Sequence, residues 1–111
     1  MIEPRTSHEA AEFATALNTT ERAVLALLRD GWMIVSDQFS GKREWLERDG
    51  ASQKMPRKVR EYSEWYINIY NLCEINSERK TKTTDGRGLT RIYTQTTYRI
   101  HQYAKEERTQ Q

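Results

Sequence analysis

The chain has 111 residues, of which 36% are hydrophobic and 31% charged, with a formal net charge of +2 and a mean hydropathy of -0.94. This is material for one domain with a single modest core, and three Trp, six Tyr and two Phe argue against a wholly disordered chain. No stretch approaches the ~20 apolar residues that span a bilayer, so no membrane contact is expected. The first 17 residues carry acids where a signal peptide carries bases, and they lack an apolar segment. The lone Cys73 excludes an internal disulfide and reads as a packed side chain in a reducing compartment. A cytoplasmic location is therefore expected.

Residues 7–17 have the spacing of a short helix, capped by Ser7, with Ala10, Phe13, Ala14 and Leu17 along one side. Asn18 opens a clearer helix, because Asn18 and Glu21 have the spacing of a capping box. Val24, Leu27 and Leu28 form its inward stripe, and Arg22, Ala26 and Arg29 face outward. Gly31 is the expected stop. Trp32 to Val35 suits a brief strand. Ser36 and Asp37 are good caps for a further helix ending at Asp49-Gly50, with Phe39, Lys42 and Leu46 on one side.

After the turn Asp49-Gly50-Ala51-Ser52, Pro56 is placed to be the first residue of a third helix. Val59, Tyr62, Tyr66 and Ile69 give that helix an inward face, while Arg57, Arg60, Glu61 and Glu64 face outward. From about Ile67 the pattern moves toward period two, with a change of phase near Asn71 and Leu72 that reads as a turn or bulge. Asp85-Gly86 marks a hairpin loop. Beyond it, Ile92, Thr94, Thr96, Tyr98 and Ile100 alternate with Arg91, Tyr93, Gln95, Thr97 and Arg99 along a strand. Charge is segregated: residues 1–30 carry net -2, whereas residues 79–99 carry six cations against Asp85 alone, net +5.

This order, carried by residues 21–31, the turn at 49–52, the Pro56-Arg-Lys-Val-Arg-Glu-Tyr62 segment and the hairpin closing on Tyr98-Arg-Ile100, resembles the small winged helix-turn-helix domains common in bacteriophage and mobile-element proteins. The resemblance implies an α+β fold: a three-helix core with a C-terminal β-hairpin wing, over residues 18–101. An N-terminal arm or short helix (1–17) precedes it and a polar tail (102–111) follows. It also implies a DNA-binding regulator. The third helix would read the major groove with Arg57, Lys58 and Arg60. Ser52 and Lys54 would meet phosphate at its N-terminus, and Arg79, Lys80, Lys82, Arg87 and Arg91 on the wing would clamp the duplex backbone.

The same residues carry an alternative. Arg57 with Glu61, and Arg60 with Glu64, are helical i,i+4 pairs that also describe a solvated or protein-binding face, as would suit a small interaction protein that inhibits or redirects a host complex. Tyr70 and Tyr93 read as exposed, a pattern shared with protein interfaces. The three Trp read as core residues rather than base-stacking platforms. A palindromic target would require a homodimer, though no heptad seam is present. No metal-ligand spacing, phosphate loop or nucleophile with a nearby base is found, and His8 and His101 fall in peripheral segments, so neither catalysis nor a cofactor is expected.

Overall fold

Helix α1 (Ser7–Thr15) begins where the Thr6 hydroxyl accepts a hydrogen bond from the Glu9 amide at 3.0 Å. Thr6 is thus the cap, and Ser7, expected in that role, is the first helical residue. Helix α2 (Thr19–Arg29) has the expected capping box: the Glu21 amide donates to Asn18 Oδ1 at 2.8 Å, and the Asn18 amide to Glu21 Oε1 at 3.1 Å. It ends at Gly31, whose φ of +96° is the left-handed conformation that glycine adopts without strain. There the Gly31 amide donates to the Leu28 carbonyl and the Trp32 amide to the Leu27 carbonyl, the paired bonds of a Schellman stop. Val24, Leu25 and Leu28 are the buried residues of its apolar face, and Leu27 lies half-buried beside them.

The computed structural model describes residues 3–37, 43–56 and 69–106. After α2 the described chain is dominated by one antiparallel sheet in the order β3-β2-β1-β5-β4. Its strands are β1 (Met33–Asp37), β2 (Arg43–Arg48), β3 (Ala51–Lys54), β4 (Cys73–Thr84) and β5 (Thr90–Ile100). A 3₁₀ turn, Gln102–Ala104, follows and lies against α1.

This architecture overturns the expected winged helix-turn-helix. The described residues form two short helices and a five-stranded sheet, not a three-helix core with an appended wing. The helix expected to end at Asp49-Gly50 is replaced, over its described part, by β2, which pairs with β1 (Val35 opposite Trp45, Ile34 opposite Leu46) and with β3. The physical reason is the link at Asp49 and Gly50. Their φ angles of +49° and +83° make a two-residue type I′ loop between the paired Arg48 and Ala51, a loop whose twist matches a hairpin. Phe39 and Lys42 lie outside the described residues. The third helix expected after Pro56, including Arg57, Lys58 and Arg60, also falls at positions outside the described residues, as does Trp65.

The expected hairpin does form, but β5 lies inside the sheet between β1 and β4 rather than standing as a wing on a helical core. The phase change resolves into two features. A turn closes at Leu72, whose amide donates to the Ile69 carbonyl at 3.0 Å, and a bulge falls between Ile75 and Ser77.

Alternation assigns two faces to the sheet. Ile34, Leu46, Cys73 and Ile100 share the inner face with Tyr98 and pack with Val24, Leu25, Leu28, Met55, Ile69 and Leu72 into the core. The core occupies the root of the β4–β5 hairpin. Strand β1 stays paired with β5 only as far as Asp37 opposite Gln95, whereas β4 and β5 remain paired onward to Thr84 opposite Thr90. The described protein measures 62 × 27 × 26 Å.

Candidate nucleic-acid interface

The distal hairpin is a regular ladder: Arg79 opposes Gln95, Lys80 opposes Thr94, Thr81 opposes Tyr93, Lys82 opposes Ile92 and Thr83 opposes Arg91. Directly opposed residues share a face. Arg79, Thr81, Thr83, Arg91, Tyr93 and Gln95 therefore project from the outer face, and Lys80, Lys82, Ile92 and Thr94 from the inner one. At ~3.4 Å per residue, the paired segment beyond β1 reaches roughly 20 Å.

Its tip is fixed by one carboxylate. Asp85 Oδ1 accepts hydrogen bonds from the Arg87 amide at 2.8 Å and the Leu89 amide at 3.0 Å, and the Asp85 and Leu89 backbones close the loop at 3.0 Å. The only acid of the tip is thereby tied to the backbone, and Arg87 is held at the apex. Gly88, at φ +80°, supplies the left-handed residue that the loop requires.

Arg79, Lys80, Lys82, Arg87 and Arg91 are all exposed, and among the described residues none has a carboxylate within ion-pair distance. The contrast lies at the root of the hairpin. There Arg99 donates to Glu74 at 2.8 Å, with Asn76, Ser77 and Thr97 joined to the same outer-face network. The Arg99 cation at the root is neutralised within the fold, whereas among the described residues the cations toward the tip meet no acid.

Of the other expected contacts, Ser52 and Lys54 lie on β3, at the opposite edge of the sheet from β4. Both are on the outer face, since they oppose Glu47 and Trp45. Four strand spacings, roughly 19 Å, separate them from β4, so they are not part of the hairpin cluster.

The aromatic expectations divide. Tyr70 is not exposed: its ring meets Tyr98 edge-on at 4.9 Å on the inner side, and burial, with the Glu44 carboxylate beside it, pushes its phenol pKa upward. Burial likewise raises the Tyr98 phenol and pushes the Cys73 thiol up to about 12. Trp32 packs against the core under the Arg48 guanidinium, 5.0 Å from its ring centre, while Trp45 stands half-buried on the outer face and donates from Nε1 to Glu47 at 2.8 Å. His101, expected to be peripheral, is buried, and its Nδ1 accepts from the Tyr103 amide at the start of the 3₁₀ turn.

Sequence reasoning missed a pocket on the outer face. Asp37, Arg79, Thr81, Tyr93 and Gln95 line a cavity of about 200 Å³. Asp37, expected as a helix cap, is the last residue of β1. Its place beside Gln95, whose Nε2 donates to Asp37 Oδ2 at 3.2 Å, depends on a pairing 58 residues apart that no local pattern announces. Among the described residues, no three His, Cys, Asp or Glu side chains come together as a metal-ligand set, and no helix is long and apolar enough to cross a membrane. No protein-family model, curated protein or solved structure matches this chain.

Proposed function

We propose that the chain binds duplex DNA through the β4–β5 hairpin and acts as a small regulator by occupying its site. The observation that carries this reading is the set of five exposed cations on a two-stranded ribbon, without an ion pair among the described residues. A two-stranded ribbon fits the ~12 Å major groove. Lys80 and Lys82 on one face, and Arg79 and Arg91 on the other, then meet the phosphates on its two walls, with Arg87 at the tip. Thr81, Thr83 and Gln95 offer hydrogen-bonding groups to base edges. Phosphate contacts position the ribbon and supply most of the affinity.

The test is fluorescence anisotropy with a labelled mixed-sequence duplex at about 50 and about 200 mM salt. Wild-type protein binds at low salt and weakens steeply at the higher one. A variant carrying Lys80→Ala, Lys82→Ala, Arg87→Ala and Arg91→Ala loses binding and lowers the salt slope by ~0.9 per lost phosphate contact. Equal binding by both proteins overturns the reading.

A second reading, capture of a host protein, draws on Leu89 and Ile92, exposed at 56% and 58% near the tip. Apolar side chains there suit a protein partner as well as a groove wall. A stoichiometric partner that survives nuclease treatment, together with no affinity for DNA, favours this reading over the first.

A further inference from the structure

We infer that the hairpin kinks the duplex it clamps, with Leu89 entering as a wedge between two stacked base pairs. This rests on the DNA-binding reading and specifies what the tip of the same ribbon does. The tip loop uses position 89 through its backbone alone. The Leu89 amide donates to Asp85 Oδ1 at 3.0 Å, and its carbonyl accepts from the Asp85 amide at 3.0 Å. Any residue but proline can make both bonds, so the turn does not call for leucine. The side chain is 56% exposed, whereas every other leucine of the chain is buried or half-buried in the core.

A lone exposed aliphatic is ordinary; its place makes this one informative. Leu89 stands at the leading end of the arm, its backbone held on both sides, with Arg87 before it and Arg91 after it. Ile92, 58% exposed, follows on the ribbon opposite Lys82. The apex is thin, because Gly86 and Gly88 carry no side chains and the Asp85 carboxylate is turned back onto the loop. Arg87 and Leu89 are therefore the side chains that meet a target first. A base stack offers a polar intruder few partners, but an apolar one replaces part of the stacking contact it breaks. Such a wedge opens the step on the side it enters, so the duplex bends away from the ribbon. Arg87, Lys82 and Arg91 then neutralise phosphates flanking the opened step and hold the kinked form. TA steps unstack readily and A-tracts are stiff, so the wedge confers a sequence preference without a base-edge contact.

The experiment compares the full wild-type chain with Leu89→Ala and Ile75→Ala on two duplexes of equal length, one with a central TA step and one with an unbroken A-tract. 2-Aminopurine in place of the TA adenine reports unstacking, and energy transfer between end dyes reports the bend. Wild-type protein is expected to raise the 2-aminopurine signal at least about twofold and to raise energy transfer as a wedge-type kink requires. It is expected to bind the TA duplex roughly tenfold tighter than the A-tract. Leu89→Ala loses all three effects. Ile75→Ala, which removes a comparably exposed aliphatic at the hairpin's root, keeps them. Binding by wild type with neither unstacking nor a bend, or a kink that persists in Leu89→Ala, overturns the wedge and leaves the clamp standing. The wild-type measurements do not depend on how any variant folds. Absence of binding to either duplex overturns the clamp and the wedge together.

Discussion

Arg99 and Glu74 face each other across the β4–β5 ladder and are joined at 2.8 Å, whereas Arg91, eight residues earlier on the same face of β5, faces only the hydroxyl side chain of Thr83. Two arginines of one strand therefore differ in their surroundings: Arg99 is paired within the fold, and Arg91, which has no ion pair among the described residues, is the one proposed to meet DNA. Arg99→Ala is expected to cost ~0.2 to 1 kcal/mol, as for a solvent-exposed ion pair, and to leave DNA affinity nearly unchanged. Arg91→Ala should leave stability within about 0.5 kcal/mol while reducing affinity. Urea unfolding and anisotropy on the same two variants make the comparison; reversed effects would exchange the roles.

The Asp49-Gly50 loop gives a test of the sheet itself. No atom lies within 4 Å of where a Gly50 β-carbon would sit, so Gly50→Ala carries only the backbone cost of φ +83°, about 1 kcal/mol. Gly86 is equally uncrowded and has no positive φ, so Gly86→Ala should be neutral or stabilising by a few tenths of a kcal/mol. Denaturant midpoints that move together for the two variants would contradict a type I′ turn at residues 49–50.

Alkaline pH should unfold the protein through three groups at the sheet's inner face. The Cys73 thiol is raised from 9.0 to about 12, and the Tyr70 and Tyr98 phenols are raised from 10.0. Each is held neutral in the folded state while the unfolded chain ionises, so the unfolded state binds fewer protons as pH rises. Their stabilisation is fully present below pH 9 and is lost progressively from pH 9 toward 12. Tm measured across that range should fall. Cys73→Ala should remove the thiol's share of the decline, and Cys73 in the native protein should resist alkylation at neutral pH until denaturant is added. A flat Tm between pH 9 and 12 would contradict these burials.

The helical start of the chain was legible because its signals are local. Asn18 with Glu21, and Gly31 after the last turn, specify α2 within one short segment. The middle was misread for the opposite reason. In β2, Leu46 faces the core and Trp45 lies half-buried on the other side, so adjacent apolar residues hide the period of two. Strand β3, Ala51–Lys54, is exposed throughout and carries no apolar periodicity; only pairing to β2 makes it a strand. The charged hairpin is legible from alternation and from the turn at Asp85-Gly86, although Gly88 rather than Gly86 takes the positive φ, and Arg79, Lys80, Lys82, Arg87 and Arg91 all fall on this hairpin. The pocket is not legible, because Asp37 reaches Arg79 only through β5, and strand order is a property of the whole sheet.

The most direct test of DNA binding by the hairpin is amide chemical-shift mapping of the ¹⁵N-labelled protein during titration with a mixed-sequence duplex at low salt. Perturbations are predicted to concentrate from Arg79 to Gln95, strongest at Lys80, Lys82, Arg87 and Arg91, with α1 and α2 unmoved. Perturbations centred on the helices or on β3, with the hairpin silent, would contradict the account.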